Sequence, residues 1–436
     1  MIGKEEMLII SLIRLAIYAF IVFAPSQTFA ESYLRSLERL LSEHARIAGS
    51  RADLEGAKDG ASKARSAWYP DLNITGSTGN QWIEKNNGDA SSAMHTRELT
   101  LGLRQPLWDF GAINASIDKA DIGVKQSDST FEMAKQDLLF EGISAYINLE
   151  RAYRSLTYAE QSVENIRKQT GMEVSKVEMG GGFTSDVLQA KSQLAGGQAR
   201  EARGRGLVSN ATNRFRAVFA RDPLVDDRDQ HIVIPIDLLP HSIEEAVNLG
   251  RKRNRQLESA QLATEVAKKE VERVRAAELA PDIHAVAQRK YERNPDGLAA
   301  DRLQHIVKIE MTYRFNTGLG SFYSISGAQK GLVSAESRYQ DQQTLIEEQV
   351  RNAWQNYESA KENAGHLRNQ AAIAAEFLRL AREERMQGRR SLIDVLSGET
   401  SLINSQSDAV SAEADVAVAA FTLLRATGLL GLDILK

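Results

Sequence analysis

The sequence repeats one plan twice, and this duplication constrains the fold more than any other feature. Two short motifs recur at offsets of 211 and 208 residues: Pro70-Asp71 with Pro281-Asp282, and Asp186-Val187-Leu188 with Asp394-Val395-Leu396. Each Asp-Val-Leu motif follows a glycine turn, and a further leucine stands six residues after its own leucine. Two units of about 200 residues therefore fill the chain of 436 residues. Each unit is expected to be long helices with one small β segment, a layout that favours a tube over an enzyme.

Proline and composition support long helices. Proline is absent from 107–222 and from every position after 295, and proline inside a helix costs ~3 kcal/mol. Aromatic residues make up only 6% of the chain, as in coiled coils. The net charge of −4 gives no sign of nucleic-acid binding. With no cysteine, disulfides and thiolate metal sites are excluded.

The N-terminal segment has the pattern of a secretory signal peptide. Lys4 and Arg14 precede an apolar run at 15–24, and Thr28-Phe29-Ala30 is a small-x-small cleavage pattern. This run of about ten residues is short for a membrane-spanning helix. We expect residues 1–30 to be removed from an exported protein; a transmembrane anchor is the alternative.

The remaining chain is expected to consist of two repeats. The first covers 31–221 and the second 242–436, with a linker at 222–241 that holds three prolines. Each repeat contains one β island, at 69–109 and at 281–317. Single helices are expected to precede the islands, at 31–68 and 242–279, and a long helix and a shorter one to follow each island.

The long helix of each repeat is expected to end at a glycine turn, Gly180 to Gly182 in the first repeat and Gly388 in the second. In the second long helix, apolar residues recur with strict 4-3 spacing over five heptads, which is typical of a coiled coil. These positions are Ile346, Val350, Ala353, Tyr357, Ala360, Ala364, Leu367, Ala371, Ala374, Leu378 and Ala381. Since most are alanine, the neighbouring helices must approach closely.

Each island is expected to supply two strands, and the last strand has two different faces. Its apolar residues alternate with polar ones: Val307, Ile309, Met311, Tyr313 and Phe315. Four strands cannot close a membrane barrel, which needs about eight. Two chains would give eight strands, and three would give twelve with a lumen; closure would satisfy every strand edge. The alternative is a soluble hairpin on each pair of helices.

Three tracts resemble the TolC-like family of outer-membrane efflux and secretion channels: residues 101–111, residues 68–72 and the two Asp-Val-Leu turns. The resemblance covers nearly all of the chain after residue 30, including the duplication. It implies a mainly α fold with a small β part, in which duplicated coiled-coil hairpins each carry a two-stranded insertion. It also implies a homotrimer with a 12-stranded outer-membrane barrel on an α-helical periplasmic barrel.

The resemblance further implies where the protein works and with what. It places the chain in the bacterial outer membrane, in contact with outer-membrane lipid, with a long periplasmic portion. The partners implied are a periplasmic adaptor protein and an inner-membrane transporter, for which the ABC type is favoured. No nucleic acid, cofactor or metal is expected.

The resemblance places the pore constriction just after the second glycine turn, where Asp394 would line the pore. Ser397 stands where the family has a second carboxylate, so the ring is expected to be less negative. Asp186 and Arg390 match positions that bond the two turns to each other. Arg385 replaces the family's gating tyrosine, and we hypothesise that it pairs with Asp186.

The residues alone allow simpler interpretations of these acids. Asp186 would be a helix N-cap, and Asp394 a first-turn acid favoured by the helix dipole. The turns themselves are candidates for adaptor docking, with a solvated turn as the alternative: Gly180, Gly181, Gly182, Phe183, Gly388 and Arg389.

The resemblance implies the function of a passive exit duct. An enzyme is not expected, because no catalytic constellation stands out. The seven histidines never fall at metal-ligand spacing. The turn at 184–190 resembles those of type I secretion members of the family, so a type I protein secretion channel is favoured. A small-molecule efflux channel is the alternative, and a non-conducting periplasmic coiled-coil scaffold is a further one.

Overall fold

The computed structural model describes residues 31–84, 91–228, 230, 232–314 and 317–435. The predicted signal peptide at 1–30 and Phe315 of the predicted closing strand lie outside the described residues.

The first half of the chain contains four long helices and a short one: α1 (Glu31–Glu43), α2 (Ala45–Ser66), α3 (Ala112–Glu178), α4 (Thr184–Phe219) and α5 (Val225–Arg228). The second half contains α6 (Ile243–Arg253), α7 (Arg255–Leu279), α8 (Gly320–Met386) and α9 (Leu392–Ala426). Short 3-10 turns lie at Ile236–Leu238, Pro295–Gly297 and Leu432–Leu435. None of the helices in the described residues is both long and apolar enough to cross a membrane.

The helix that precedes each island is divided in two, whereas a single helix was predicted in both places. The breaks are at His44 and Asn254. The Asn254 side chain accepts hydrogen bonds from the backbone amides of Gln256 and Leu257, at 2.9 and 3.2 Å. Asn254 is therefore the N-cap of α7, and its extended backbone starts a new helix instead of continuing the old one.

The two islands form one antiparallel sheet. The strands are β1 (Asp71–Ile83), β2 (Ser92–Trp108), β3 (Asp282–Arg293) and β4 (Asp301–Thr312), in the order β1-β2-β3-β4. Each island supplies two strands, as the sequence predicted. The central pairing of β2 with β3 joins the two islands, with Leu101 opposite Arg289.

The chain divides into two compact units, and each combines segments from both halves of the sequence. One unit contains the sheet, within Arg46–Ala134 and Val247–Gln349. The other contains the glycine turns, within Lys135–Ala246 and Val350–Lys436, together with the chain up to Ala45. We call them the sheet unit and the turn unit.

The 4-3 positions of α8 are the buried side of that helix, as the sequence predicted. Eight of the eleven positions are buried, and Ala360, Leu367 and Ala371 are half-buried. Most residues between them are exposed. The alanines thus face neighbouring helices at close approach, as in a coiled coil.

A buried polar cluster lies in the turn unit. The Tyr146 ring packs edge-to-face on Phe215 and Phe219, with centroids 5.0 and 5.1 Å away. Its hydroxyl donates a hydrogen bond of 3.0 Å to Oδ1 of Asp227. The Arg221 guanidinium lies 2.5 Å from Asp227 Oδ2 and stacks over the Phe215 ring at 5.0 Å. The first part of the predicted linker is therefore anchored in the core.

The surroundings of Asp227 shift its acidity. Burial would raise the pKa of the carboxyl group, but hydrogen bonds from Arg221 and the Leu224 amide, with the charge of Arg221, lower it below its ordinary value. Burial raises the pKa of the Tyr146 hydroxyl to about 12. The cluster thus holds an ionised carboxylate beside a neutral phenol.

The depressed pKa of Asp227 predicts a loss of stability in acid. The ionised carboxylate stabilises the fold fully above its unfolded pKa, ~3.9. That contribution disappears as the pH falls through the lower, folded pKa. We expect the thermal midpoint of the helical circular dichroism to fall further between about pH 5 and pH 2 in the wild type than in Asp227→Asn. Parallel acid profiles for the two proteins would contradict this assignment.

Candidate functional site

The two glycine turns of the turn unit end their helices in the same way. Gly180 and Gly388 have φ angles of +81° and +75°, the left-handed region that favours glycine. In each turn, the amide of the next residue donates a 2.9 Å hydrogen bond to the carbonyl five residues earlier. This is a Schellman helix end, so the duplication extends to the backbone geometry of the turns.

The helices after the turns begin differently. Phe183 is the N-cap residue of α4 and offers no side-chain cap. Asp186 lies in the first turn and is half-buried, so the alternative interpretation of Asp186 as the N-cap of this helix is wrong. Ser391 caps α9, and its hydroxyl accepts a 3.3 Å hydrogen bond from the Asp394 amide. Asp394 occupies the first turn, as expected for an acid near a helix N-terminus.

Asp394 and Ser397 lie one turn apart and both are exposed. The opposite side of α9 packs into two buried clusters: Leu392 and Leu396 with Ile166 and Ala190, and Val395 with Leu378 and Ala381. This packing fixes the rotation of α9, so Asp394 and Ser397 share a surface that is free in the single chain.

Arg385 forms its ion pair with Glu173. Nη2 of Arg385 lies 2.8 Å from Oε2 of Glu173, whose side chain is only 4% exposed. Gly182 covers this carboxylate, since a Cβ there would lie 3.6 Å from Oε1 of Glu173. The hypothesised pairing of Arg385 with Asp186 is not formed, and the described residues offer Asp186 no ion pair.

Arg390 is held within its own turn. Its Nε lies 2.6 Å from Oε2 of Glu384, and its guanidinium stacks over the Phe377 ring at 5.2 Å. In the single chain, Arg390 therefore does not reach Asp186, and the two turns are joined by Glu173 and Arg385 instead.

A second buried carboxylate lies nearby. Glu399 is held by Arg382 at 2.5 Å and accepts a hydrogen bond of 2.6 Å from Asn165. Arg382 and Arg385, one turn apart on α8, thus each bind a buried glutamate from another helix. Sequence reasoning missed both glutamates.

One feature of the sequence could have predicted that Glu173 is buried. It continues the 4-3 spacing of the buried residues Val163, Ile166 and Thr170 on α3. A carboxylate on such a stripe requires a cationic partner from a facing helix.

Both turns also expose large apolar side chains. Met179, Phe183 and Met386 are 81%, 75% and 80% exposed. Gly181, Gly388 and Arg389 are exposed beside them, while Gly182 packs against Val177. A surface that combines exposed methionine and phenylalanine with backbone turns is suited to contact another protein.

The sheet has the opposite sidedness to that of a water-soluble sheet. In β2, Leu99, Leu101 and Leu103 are exposed, whereas the polar residues between them are mostly half-buried. The register places residues of the other strands on the same apolar face: Leu72, Ile74, Tyr291, Leu303, Val307 and Ile309. Val307 is 87% exposed. This face requires a covering of low polarity.

The other face of the sheet carries a network of ion pairs. Lys290 lies 3.2 Å from Glu98 and 2.9 Å from Glu292. Arg302 lies 2.7 Å from Glu292 and 3.0 Å from Asp296. Alternate residues of each strand thus separate an apolar face from a charged one. Across the described residues, no group of His, Asp and Glu side chains could hold a metal ion.

Strands with one exposed apolar face and one polar face are typical of outer-membrane β proteins. The family model described as "Outer membrane efflux protein" matches residues 36–221 and 246–429, one segment in each half. The chain belongs to this family, and it is an outer-membrane protein. The resemblance to TolC-like channels, the fold class and the localisation inferred from the sequence are thereby confirmed.

Relatives span most of the chain. "Outer membrane efflux protein BepC" of Brucella suis biovar 1 is 23% identical, covering 94% of this chain and 88% of its own length. "Outer membrane protein TolC" of Escherichia coli K12 is 22% identical, covering 92% and 83%. "Alkaline protease secretion protein AprF" of Pseudomonas aeruginosa is 24% identical, covering 59% and 55%.

Solved structures show the same fold. The outer-membrane protein VceC of Vibrio cholerae has a TM-score of 0.77 at 18% identity and covers 91% of this chain and 96% of its own. The open state of the MtrE outer-membrane channel of Neisseria gonorrhoeae has a TM-score of 0.75 at 18% identity and covers 91% and 89%.

Proposed function

We propose that this protein is the exit duct of a tripartite export system. As a homotrimer, it would conduct substrate passively from an inner-membrane transporter and a periplasmic adaptor to the outside. The sidedness of the sheet is the observation that carries this proposal. In one chain, β1 and β4 are the edges of the sheet. Three copies joined edge to edge would close a barrel of twelve strands, with the apolar face toward lipid and the charged face toward a lumen.

The apolar face has the right height for a membrane. From Leu303 to Met311 it covers ~27 Å along the strand, at about 3.4 Å per residue. At a strand tilt of 35–45° this becomes about 20 Å, close to the ~25 Å apolar band of outer-membrane barrels. The duplication then has a simple meaning. The repeats at 31–221 and 242–436, joined by the linker at 222–241, would each supply one strand pair and one helical hairpin.

The pore would be narrowest at the beginning of α9. Three copies of Asp394 would form a ring that attracts cations, and Ser397 would leave that ring with a single carboxylate per chain. Arg385 and Glu173 would hold the turns of each chain together, with Arg390 beside them. The exposed turns, from Gly180 to Phe183 and at Gly388-Arg389, would dock the adaptor.

The Asp394 ring predicts a selectivity change. Replacing Asp394 with asparagine removes the charge from the ring, so the preference for cations over anions should fall. Reversal potentials of the purified channel in planar bilayers, measured across a potassium chloride gradient, would show this.

Asp408→Asn is the matched control for the selectivity measurement. Asp408 is an exposed acid on the same helix, ~21 Å from Asp394 at 1.5 Å per residue. An equal shift in both variants would contradict a constriction at Asp394.

Protein secretion is the finer function that we propose, with an ABC-type transporter as the pump. The Thr184–Ala190 turn favours type I secretion, and one relative is named as an alkaline protease secretion protein. Small-molecule efflux is the second candidate, because the family description and the BepC relative name efflux.

Deletion of the gene tests both candidates. We expect one exported protein to disappear from the medium while drug tolerance stays unchanged. Increased drug sensitivity with an unchanged set of secreted proteins would favour efflux. A purified protein that forms no heat-resistant trimer and conducts no ions would contradict the channel and favour a periplasmic scaffold.

A further inference from the structure

Basic side chains interrupt the apolar face of the sheet near its hairpin turns. Arg97 lies directly opposite Arg293 in the pairing of β2 with β3, and Arg289 lies opposite His305 in the pairing of β3 with β4. All four are exposed. Side chains directly opposite each other in an antiparallel pair have Cβ atoms about 5 Å apart, and like charges there are destabilising. An anion beside the Arg97–Arg293 pair would therefore relieve a repulsion.

The described residues supply only part of the negative charge that these arginines would need. The Asp301 carboxylate lies 4.0 Å from Nε of Arg293 and accepts a hydrogen bond of 3.0 Å from the Tyr291 hydroxyl. Among the described residues, neither Arg97 nor Arg289 forms an ion pair. Among the described residues of these strands, three arginines on this face are thus matched by a single carboxylate, an excess of two positive charges.

The neighbouring glutamates cannot correct this excess. Glu98 and Glu292 follow and precede the two opposed arginines in sequence, so their side chains point to the other face of the sheet. There they already bind Lys290 and Arg302.

The depth of these arginines relative to the apolar rows is defined by the register. The row of Arg97 and Arg293 lies one step of about 7 Å beyond the row of Leu99 and Tyr291. On the far side, the next pair is Asn80 with His95. The opposed arginines therefore lie between the continuous apolar rows and a polar row, beyond which Trp82 lies opposite Ala93.

Arg289 lies two rows deeper, opposite Leu101. A long arginine side chain at such a depth can extend its guanidinium toward the polar row while its methylenes stay among apolar groups. The Arg289 guanidinium can thus lie closer to the opposed arginines than its own backbone does.

We propose that Arg97, Arg293 and Arg289 form a binding surface for phosphate-bearing headgroups of lipids in the outer leaflet. The surface rests on the proposed function, because the strand ends that adjoin the hairpin turns face outward only if the helices are periplasmic. Guanidinium groups bind phosphate through paired hydrogen bonds. The apolar rows directly beneath would contact the acyl chains, so the occupant is a lipid and not free phosphate.

The test uses the full-length trimer in detergent and two lipids with identical acyl chains. Phosphatidic acid carries a phosphate monoester, and diacylglycerol carries none. Native mass spectrometry would count bound lipid during titration of each. We expect the wild type to bind phosphatidic acid about tenfold more tightly than diacylglycerol, and the double variant Arg97→Gln with Arg293→Gln to lose that preference.

The matched control is the double variant Arg104→Gln with Lys308→Gln, which removes two positive charges from the opposite face of the same sheet. We expect it to keep the wild-type preference. Removal of the opposed arginines relieves a repulsion, so folding should survive; circular dichroism checks this, and Arg289→Gln provides a single-site variant with a partial loss.

Three results would contradict the proposed lipid-binding surface. The wild type could show no preference for phosphatidic acid, the control variant could lose that preference equally, or inorganic phosphate alone could compete for binding as strongly as the lipid does. Conductance of the same preparations separates this inference from the proposed function. If the wild type conducts ions but does not discriminate between the two lipids, only the proposed lipid-binding surface is contradicted. If the wild type does not conduct ions, the proposed function as an exit duct is contradicted.

Discussion

Replacement of Asp227 with alanine is expected to destabilise the protein severely. Asp227 is buried, and both the Arg221 guanidinium and the Tyr146 hydroxyl bind it. Its removal leaves the arginine without a counter-ion above two phenylalanine rings. Breaking a buried ion pair costs ~3–5 kcal/mol. We expect the lower end of that range, because 30% of the Arg221 side chain stays in contact with solvent.

Asp226→Ala is the matched control, since Asp226 is the adjacent acid on α5 and is exposed. Urea unfolding of the detergent-solubilised protein, followed by helical circular dichroism, would compare the two variants. The free energy of unfolding should fall in Asp227→Ala and stay near the wild-type value in Asp226→Ala. Similar losses in both would show that the buried cluster does not anchor this segment.

Replacement of Arg385 with alanine is expected to increase the single-channel conductance. Arg385 is the nearer of two cations beside Glu173, at 2.8 Å, and the carboxylate is nearly inaccessible to water. The other is Lys176, whose Nζ lies 3.7 Å from Oε1 of Glu173. Without the arginine, only the more distant Lys176 compensates the buried carboxylate, which favours a rearrangement that exposes Glu173 to solvent. Such a rearrangement separates α3 from α8 beside the glycine turns. If the pore closes there, separation of the helices should widen it.

Arg389→Ala is the control for this measurement, because Arg389 is an exposed arginine in the same turn. Exchange of the two charges, Glu173→Arg with Arg385→Glu, should restore a conductance close to that of the wild type. Conductance in planar bilayers that rises equally in Arg385→Ala and Arg389→Ala would assign the effect to surface charge, not to the buried pair.

The sequence predicts the elements of this fold well, because their signals are local. The left-handed turns at Gly180 and Gly388 follow from glycine, and the alternation at 307–313 follows from the period of a strand. The helix breaks at His44 and Asn254 escaped prediction because helical periodicity continues on both sides of each break.

The partners of the site residues were harder to predict. Arg385 was assigned to Asp186 because the two lie in matching turns, but the relative position of α3 and α8 places Glu173 beside it. Similarly, Asp227 lies in a segment rich in proline that was expected to be a simple linker, and nothing local to that segment indicates that Tyr146 and Arg221 enclose it. Contacts between distant helices depend on packing that the pattern of one helix does not encode.

The order of strands in the sheet means that β2 is synthesised and exported well before its partner β3. The β1–β2 hairpin leaves the ribosome and crosses the inner membrane more than 170 residues ahead of β3, which pairs with β2. During that interval, β2 exposes its leucines and an unpaired backbone edge, the combination that promotes aggregation. The nascent chain should therefore depend on periplasmic chaperones until its second half arrives, and a truncation before β3 should be degraded rather than accumulate.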